Sequence, residues 1–359
     1  MPDAPVVDWA RAEQVAIRVA GRSPAPDAHV DGWDPPIDLI EDQIEAVTGL
    51  RSAAGTAAAE LIDRPAWVRA NIASFRTLLE PVLTKLDTQR PTTGFGTGTL
   101  SAWSRQFASV QLGTMLGWMG SRVLGQYDLL VRRDTSAPVA AEDGAVYLVG
   151  PNLAVLEGRF GFDPIEFRTW VLVHELTHRA QFTGVPWMRG YFTGLVDELL
   201  GAVDPRPEVL FGALRDAFKR PDDARQQLRE AGLAGLIASP EQRAVIARIG
   251  GLMSLLEGHG DVTMTRAAGD LVPDADRFAR VLAARRAKGN PLNKLLMRLT
   301  GMEGKLNQYA AGERFIAAVE AARGPRGIDV CWTGPEMLPS IDEIRDPQQW
   351  LARTGRRAA

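Results

Sequence analysis

Cysteine and histidine are both scarce in this chain of 359 residues: there is one cysteine, Cys331, and four histidines. A lone cysteine excludes an intrachain disulfide framework and fits a reducing compartment. No charge of one sign prevails either. The formal net charge is −3 and the pI is about 5.9, which leaves no basic footprint for nucleic acid or an acidic membrane. Long hydrophobic runs are missing as well. Residues 107–121 are apolar, but Arg105, Gln106, Gln111 and Arg122 bracket or interrupt them, and the stretch is shorter than the ~20 residues that span a bilayer. The spacing Gly113-x-x-x-Gly117 inside it reads as close packing of a soluble helix rather than as a membrane dimer motif. Residues 1–30 are rich in Ala, Pro and Asp and lack the apolar core of a secretory signal. The expectation is a cytoplasmic protein that partners neither nucleic acid nor membrane.

Against that background one pentapeptide stands out, His174-Glu175-Leu176-Thr177-His178. On a helix, positions four apart lie one above the other, so both imidazoles can hold one metal ion from the same side. Glu175 then stands beside the ion without having to bind it. Two histidines and a carboxylate base in this spacing suit a zinc hydrolase. Local signals make the segment a helix. Asp163-Pro164-Ile165-Glu166 reads as an N-cap, a proline at the first helical position and a capping-box glutamate. The run from Ile165 to Phe182 has no Gly or Pro, and Gly184 and Pro186 end it. The apolar residues Phe167, Trp170, Val171, Val173 and Leu176 predict a largely buried helix. Histidines and a carboxylate are costly there without partners, and a metal supplies them.

A catalytic zinc needs a third protein ligand and an open position. The extended pattern with Gly at 181 and His at 184 is absent, since Gln181 and Gly184 occupy those places. The candidate lies downstream in Leu256-Glu257-Gly258-His259-Gly260-Asp261. A second capping box, Ser239-Pro240-Glu241-Gln242, starts a helix near 240 that runs past 261. On it Glu257 and Asp261 share a face and His259 points elsewhere. Glu257 is the favoured third ligand, with Asp261 behind it receiving the N–H of a ligand histidine. His259 is the rival ligand, presented if Gly258 and Gly260 bend the helix; otherwise it is a hydrogen-bond donor to the reacting carbonyl. The glycines at 250, 251, 258 and 260 each cost about 1 kcal/mol in a helix interior. Close approach of the glutamate helix to the histidine helix would account for them; a break near 258 is the other reading.

The Glu-x-x-x-Asp spacing resembles the gluzincin arrangement of metallopeptidases, although Leu256 stands where that pattern has Asn. Three blocks together, Tyr147-Leu148-Val149-Gly150-Pro151-Asn152, His174 to Phe182 and Glu257 to Asp261, resemble the zincin-like type 2 metallopeptidases. The resemblance covers most of the chain, from about Trp67 to about Trp350. It implies a mainly helical zincin-like fold with zinc. One branch of the family carries a label of association with biosynthesis of the deazaflavin coenzyme F-420. No residue pattern here marks a deazaflavin site.

The rest of the chain fits a mainly α protein, with a small β element next to the histidine helix. Residues 1–35 begin with a short helix and become extended. Residues 36–125 form a helical region, with the Gly/Thr-rich stretch Thr92–Thr99 as a connection. Residues 126–359 form the metal-binding region, packed with the helical region as one unit. Leu129 to Arg132 and Ala145 to Val149 read as strands. Tyr147-Leu148-Val149 is either an edge strand that pairs with an extended substrate or an ordinary core strand. Helices broken at Asp204-Pro205-Arg206-Pro207 are expected over 194–235, and further helices over 278–288, 292–322 and near 339–343. Trp187 to Phe192 either wall a pocket or form a packed loop. The expected reaction is hydrolysis of a peptide or another amide, with His174, His178 and Glu257 on zinc and Glu175 taking a proton from water. The alternative is a non-catalytic scaffold stabilised by its metal, or an accessory protein in deazaflavin coenzyme metabolism.

Overall fold

The helix signals in the sequence are used where they stand. The Asp163 side chain accepts the Glu166 N–H at 3.0 Å, and Ser239 and Gln242 form both halves of a capping box. The computed structural model describes residues 7–88, 97–129, 145–201, 239–287 and 303–355. The expected helix breaks at 204–207 and the start of the helix expected from 292 lie outside these residues. The described part is mainly helical with one small sheet, as the sequence predicts. It divides into two compact units: Met1–Glu41, Ser52–Arg179 and Asp270–Asp274 form the first, Asp42–Arg51, Ala180–Gly269 and Ala275–Ala359 the second.

The first unit contains α1 (Trp9–Ala20), the start of α2 (Ile37–Thr48), β1 (Ala59–Ile62), α3 (Arg64–Thr88) and α4 (Thr97–Gly120). It continues with β2 (Gly125–Asp128), β3 (Ala145–Val149), α5 (Gly150–Phe160) and most of α6 (Pro164–Gly184). The small residues at 113 and 117 serve close packing between helices. A Cβ at Gly113 would collide with the backbone of Ala12, and one at Gly117 with the backbone of Ala16. α1 and α4 therefore meet backbone to backbone, and Trp67, Val68, Ile72, Leu116 and Val149 close the core around them.

β3 is fully buried and lies in the middle of the three-stranded sheet, parallel to β1 and antiparallel to β2. An interior strand has no free edge, so Tyr147-Leu148-Val149 is a core strand and not a pairing site for substrate. β2 occupies Gly125–Asp128; of the strand expected at Leu129 to Arg132, only Leu129 lies among the described residues. β1, in a stretch expected to be helical, has only four residues, and its partner begins at Val146. Behind the sheet, Asn71 and Ser74 of α3 hold the side chains of Gln126 and Asp128 through an amide–amide pair at 3.1 Å and a hydroxyl–carboxylate bond at 2.9 Å.

Two buried arginines clasp the extended segment after α1. Arg64 donates to the carbonyls of Ser23 at 2.8 Å and Pro24 at 2.5 Å, and to Asn152 Oδ1 at 2.7 Å. Asn152 in turn donates to Gly120 O and Val123 O at the end of α4. Arg168 of α6 forms a two-pronged ion pair with Glu157 of α5, at 2.8 and 2.9 Å, and donates to Ala28 O. Gly150 leaves room for Ala28, whose Cβ would lie 2.5 Å from a Cβ at 150.

The second unit holds α7 (Met188–Gly201), α8 (Pro240–Ala268), α9 (Ala275–Ala287), α10 (Glu303–Arg323), α11 (Ile341–Arg345) and α12 (Pro347–Gly355). α8 is one continuous helix through Gly250, Gly251, Gly258 and Gly260, so no bend turns His259. Gly258 faces Gly312 of α10, where an added Cβ would lie 2.5 Å from the Gly312 carbonyl carbon. Gly251 faces the turn before α11, 2.6 Å from Pro339 O by the same measure. These two glycines thus serve α10 and the C-terminal turn. Arg266 and Glu320 tie the same pair of helices at 2.7 Å, and Phe315 meets Trp350 edge to face. Cys331 is fully buried, and burial pushes its thiol far above its ordinary pKa, so it offers neither nucleophile nor ligand. Among the described residues, no helix is long and apolar enough to cross a membrane.

The Arg168–Glu157 pair is 1% and 7% exposed, so removing one partner strands a buried charge. Arg168→Met is expected to lower unfolding stability by about 3–5 kcal/mol, and Glu157→Leu added to it to restore much of the loss. Urea unfolding of the two variants checks this; a double variant no more stable than the single one would assign the cost to the lost Ala28 contact instead.

Candidate metal centre

From Phe167 to Gln181 every residue of α6 is buried except two, His174 and His178. Both lie on one face, and their rings meet edge to face with centroids 4.5 Å apart. Their Nε2 atoms are 3.0 Å apart. Two nitrogens sharing one tetrahedral zinc at 2.0–2.1 Å stand about 3.3 Å from each other, so the pair is spaced for a common ion. His174 and His178 thus offer two ligand atoms on one face, and Glu257 is the third ligand that the sequence leads one to expect. Two imidazoles and a carboxylate are the donor types of a catalytic zinc shell, with a fourth position left for water or substrate. The donor chemistry fits the group that the sequence motif implies.

Glu175, next to His174 on the same helix, is 6% exposed. Its Oε2 accepts the backbone N–H of Tyr127 at 2.9 Å. The pairing pattern explains why that N–H is available. Val149 N–H donates to Leu124 O, and the register pairs Gln126 with Tyr147 and Tyr127 with Val146. Residues 124, 126 and 128 therefore turn their backbone groups to β3, and Gly125 and Tyr127 turn theirs outward. Gly125 completes the cradle, because a Cβ there would lie 2.7 Å from both Cγ and Oε1 of Glu175. The strand next to the carboxylate is thus β2 and not the expected β3. Neither Gly125 nor Tyr127 carries a sequence signal for this role, since both act through backbone.

On α8, Glu257 is half-buried, and Asp261 is half-buried one turn further on. His259 lies apart from both and is 4% exposed. Its Nδ1 is 2.9 Å from Gln181 Nε2, and its ring meets Trp332 edge to face. Gln181 is a functional candidate that the sequence reading passed over as the place of a missing glycine. The signal was present: 174, 178 and 181 follow the i, i+4, i+7 spacing of one helix face. The aromatic stretch after α6 is packed. Trp187 Nε1 donates to Trp332 O at 3.0 Å, and Phe182 and Phe192 are in edge-to-face contact.

If Gly125 exists to make room for Glu175, enlarging it must cost stability only while the glutamate is there. Gly125→Ala is expected to cost about 1–3 kcal/mol, and much less in a Glu175→Ala background. A double-mutant cycle by urea unfolding measures the coupling; equal costs in both backgrounds would put the clash elsewhere.

Comparisons with known proteins bear on the whole chain. No curated protein matches it. The solved structure of "a putative hydrolase with a novel fold" from Chloroflexus aurantiacus is 31% identical. That match covers 98% of this chain and 99% of the other, with a TM-score of 0.68. The model of the zincin-like metallopeptidase family matches residues 7–351. With nearly its full length matched, the chain belongs to the zincin-like metallopeptidases.

Proposed function

We propose that this protein is a zinc-dependent peptidase in which His174, His178 and Glu257 hold the metal and Glu175 is the general base. The observation that carries the reading is the pair of histidine Nε2 atoms 3.0 Å apart, on a helix that also holds the Glu175 carboxylate against β2. When bound, zinc lowers the pKa of a water toward ~7 and polarises the scissile carbonyl. Glu175 takes a proton from the attacking water at a carboxylate oxygen and passes it to the leaving amine. The Tyr127 N–H holds that carboxylate in one orientation, so little reorganisation accompanies the transfer. Asp261 receives the ring N–H of a ligand histidine and orients it. His259 donates to the carbonyl oxygen as charge builds there. The substrate class is a peptide, with other amides as the nearest relatives in chemistry. A base beside the histidine pair favours this reading over a metal-stabilised scaffold, which needs no such group.

The metal assignment predicts about one zinc per purified chain. His174→Ala or His178→Ala is expected to abolish tight binding, and Glu257→Ala to remove most of the affinity. Asp261→Ala should weaken binding or activity by about 10–100-fold, while His259→Ala keeps the metal. Zinc content by elemental analysis checks the series. Zinc kept in Glu257→Ala and lost in His259→Ala would make the site three histidines.

Glu175→Gln is nearly isosteric and cannot accept a proton. It is expected to keep zinc and fold while hydrolysis falls by roughly 10²–10⁴-fold. Cleavage of a peptide library by wild type and variant, compared by mass spectrometry, measures this; equal turnover would remove Glu175 from the chemistry.

A further inference from the structure

Gln181 is 0% exposed, and its Nε2 touches two groups at once: Leu256 O at 3.1 Å and His259 Nδ1 at 2.9 Å. The first contact decides the second. A backbone carbonyl only accepts, so the amide atom facing Leu256 O must be the NH₂ and not the oxygen. The other proton of that NH₂ is then directed at Nδ1. A donor cannot pair with an Nδ1 that carries its own proton. Nδ1 of His259 is therefore bare, and the single proton of the neutral ring sits on Nε2. The reverse amide orientation would press the Gln181 oxygen against the Leu256 carbonyl, two acceptors in a site without water access.

Two consequences follow for the ring. His259 is not suited to ligate metal, because one nitrogen is spent as an acceptor and the other carries a proton. It is suited to donate. Trp332 packs edge to face on the ring at 5.0 Å between centroids, and the Trp332 carbonyl is itself fixed by the indole of Trp187. Ring plane and tautomer are thus both set by neighbours.

We infer that Gln181 is a positioning residue that holds His259 as the Nε2–H tautomer, so that it presents a fixed donor to the substrate's carbonyl oxygen. The tautomer stands on geometry alone, and its use in turnover rests on the peptidase reading above. The test uses the zinc-loaded full chain labelled with ¹⁵N-histidine. With only four histidines, long-range ¹H–¹⁵N spectra can be assigned by single substitutions. In the wild type, His259 is expected to show a protonated Nε2 and a bare Nδ1. In Gln181→Glu, the carboxylate accepts from Nδ1 and the pattern reverses. In Gln181→Met, which preserves bulk, the two tautomers interconvert and the nitrogen shifts average. Zinc content is expected to stay unchanged in both variants. A wild-type His259 protonated on Nδ1 overturns the inference, whether or not the variants fold. With peptide substrate, Gln181→Glu is expected to lose about 10²–10³-fold in kcat, the effect of losing one oxyanion donor. Wild-type kcat in a variant whose tautomer has reversed overturns the role in turnover. Absence of any hydrolysis by the wild type counts against the peptidase reading alone, since the tautomer is read without substrate.

Discussion

A polar side chain carried on a buried helix has to find a partner, and four of those on α6 find theirs outside the helix. Arg168 brings Glu157 from α5, and Glu175 brings the Tyr127 N–H from β2. Arg179 brings Glu41 from α2 together with the carbonyls of Ala54 and Gly55. Gln181 brings Leu256 O and His259 from α8. Each pair fixes a different element to the same helix. The two histidines are the least buried of this stretch of α6, which is where a ligand-binding face has to be. The architecture around the histidines is therefore largely the set of answers to one demand, that no charge or amide on this helix be buried alone.

The same demand explains what was legible in the sequence. The helix, its caps and the histidine pair are local: Asp163, Pro164 and the spacing of 174 and 178 need nothing beyond a few residues on either side. The second helix, with its capping box at Ser239 and Gln242, is equally local. What escaped depends on partners distant in the chain. β1 is four residues long and becomes a strand because β3 lies beside it, not because Ala59-Glu60-Leu61-Ile62 favours one. β2 could not be placed because the outward N–H of Tyr127 finds its use in a glutamate far downstream. Gln181 looked like a gap in a longer metal motif until its partner on α8 was known.

The glycines show a premise whose neighbours the sequence does not name. Their cost in a helix interior does signal close backbone approach, as at Gly113 and Gly117 against α1. At two glycines of α8 the same signal points to α10, through Gly258 and Gly312, and to the turn before α11, through Gly251. Spacing tells that two backbones touch; only the tertiary structure tells which two. Helical geometry by itself separates Glu257 from His259, and the unbroken course of α8 keeps them separate.

The central position of β3 has a consequence for synthesis. β1 leaves the ribosome early, but the strand that completes its ladder ends at Val149, and β2 needs that same strand. Until then the nascent chain holds two short segments with open edges and a partly covered apolar face. Such contacts across long chain separations close slowly and leave intermediates prone to association. During that interval α1, α3 and α4 can already pack on one another, through glycines that let their backbones meet. That helical cluster would shelter the growing chain until its middle strand arrives.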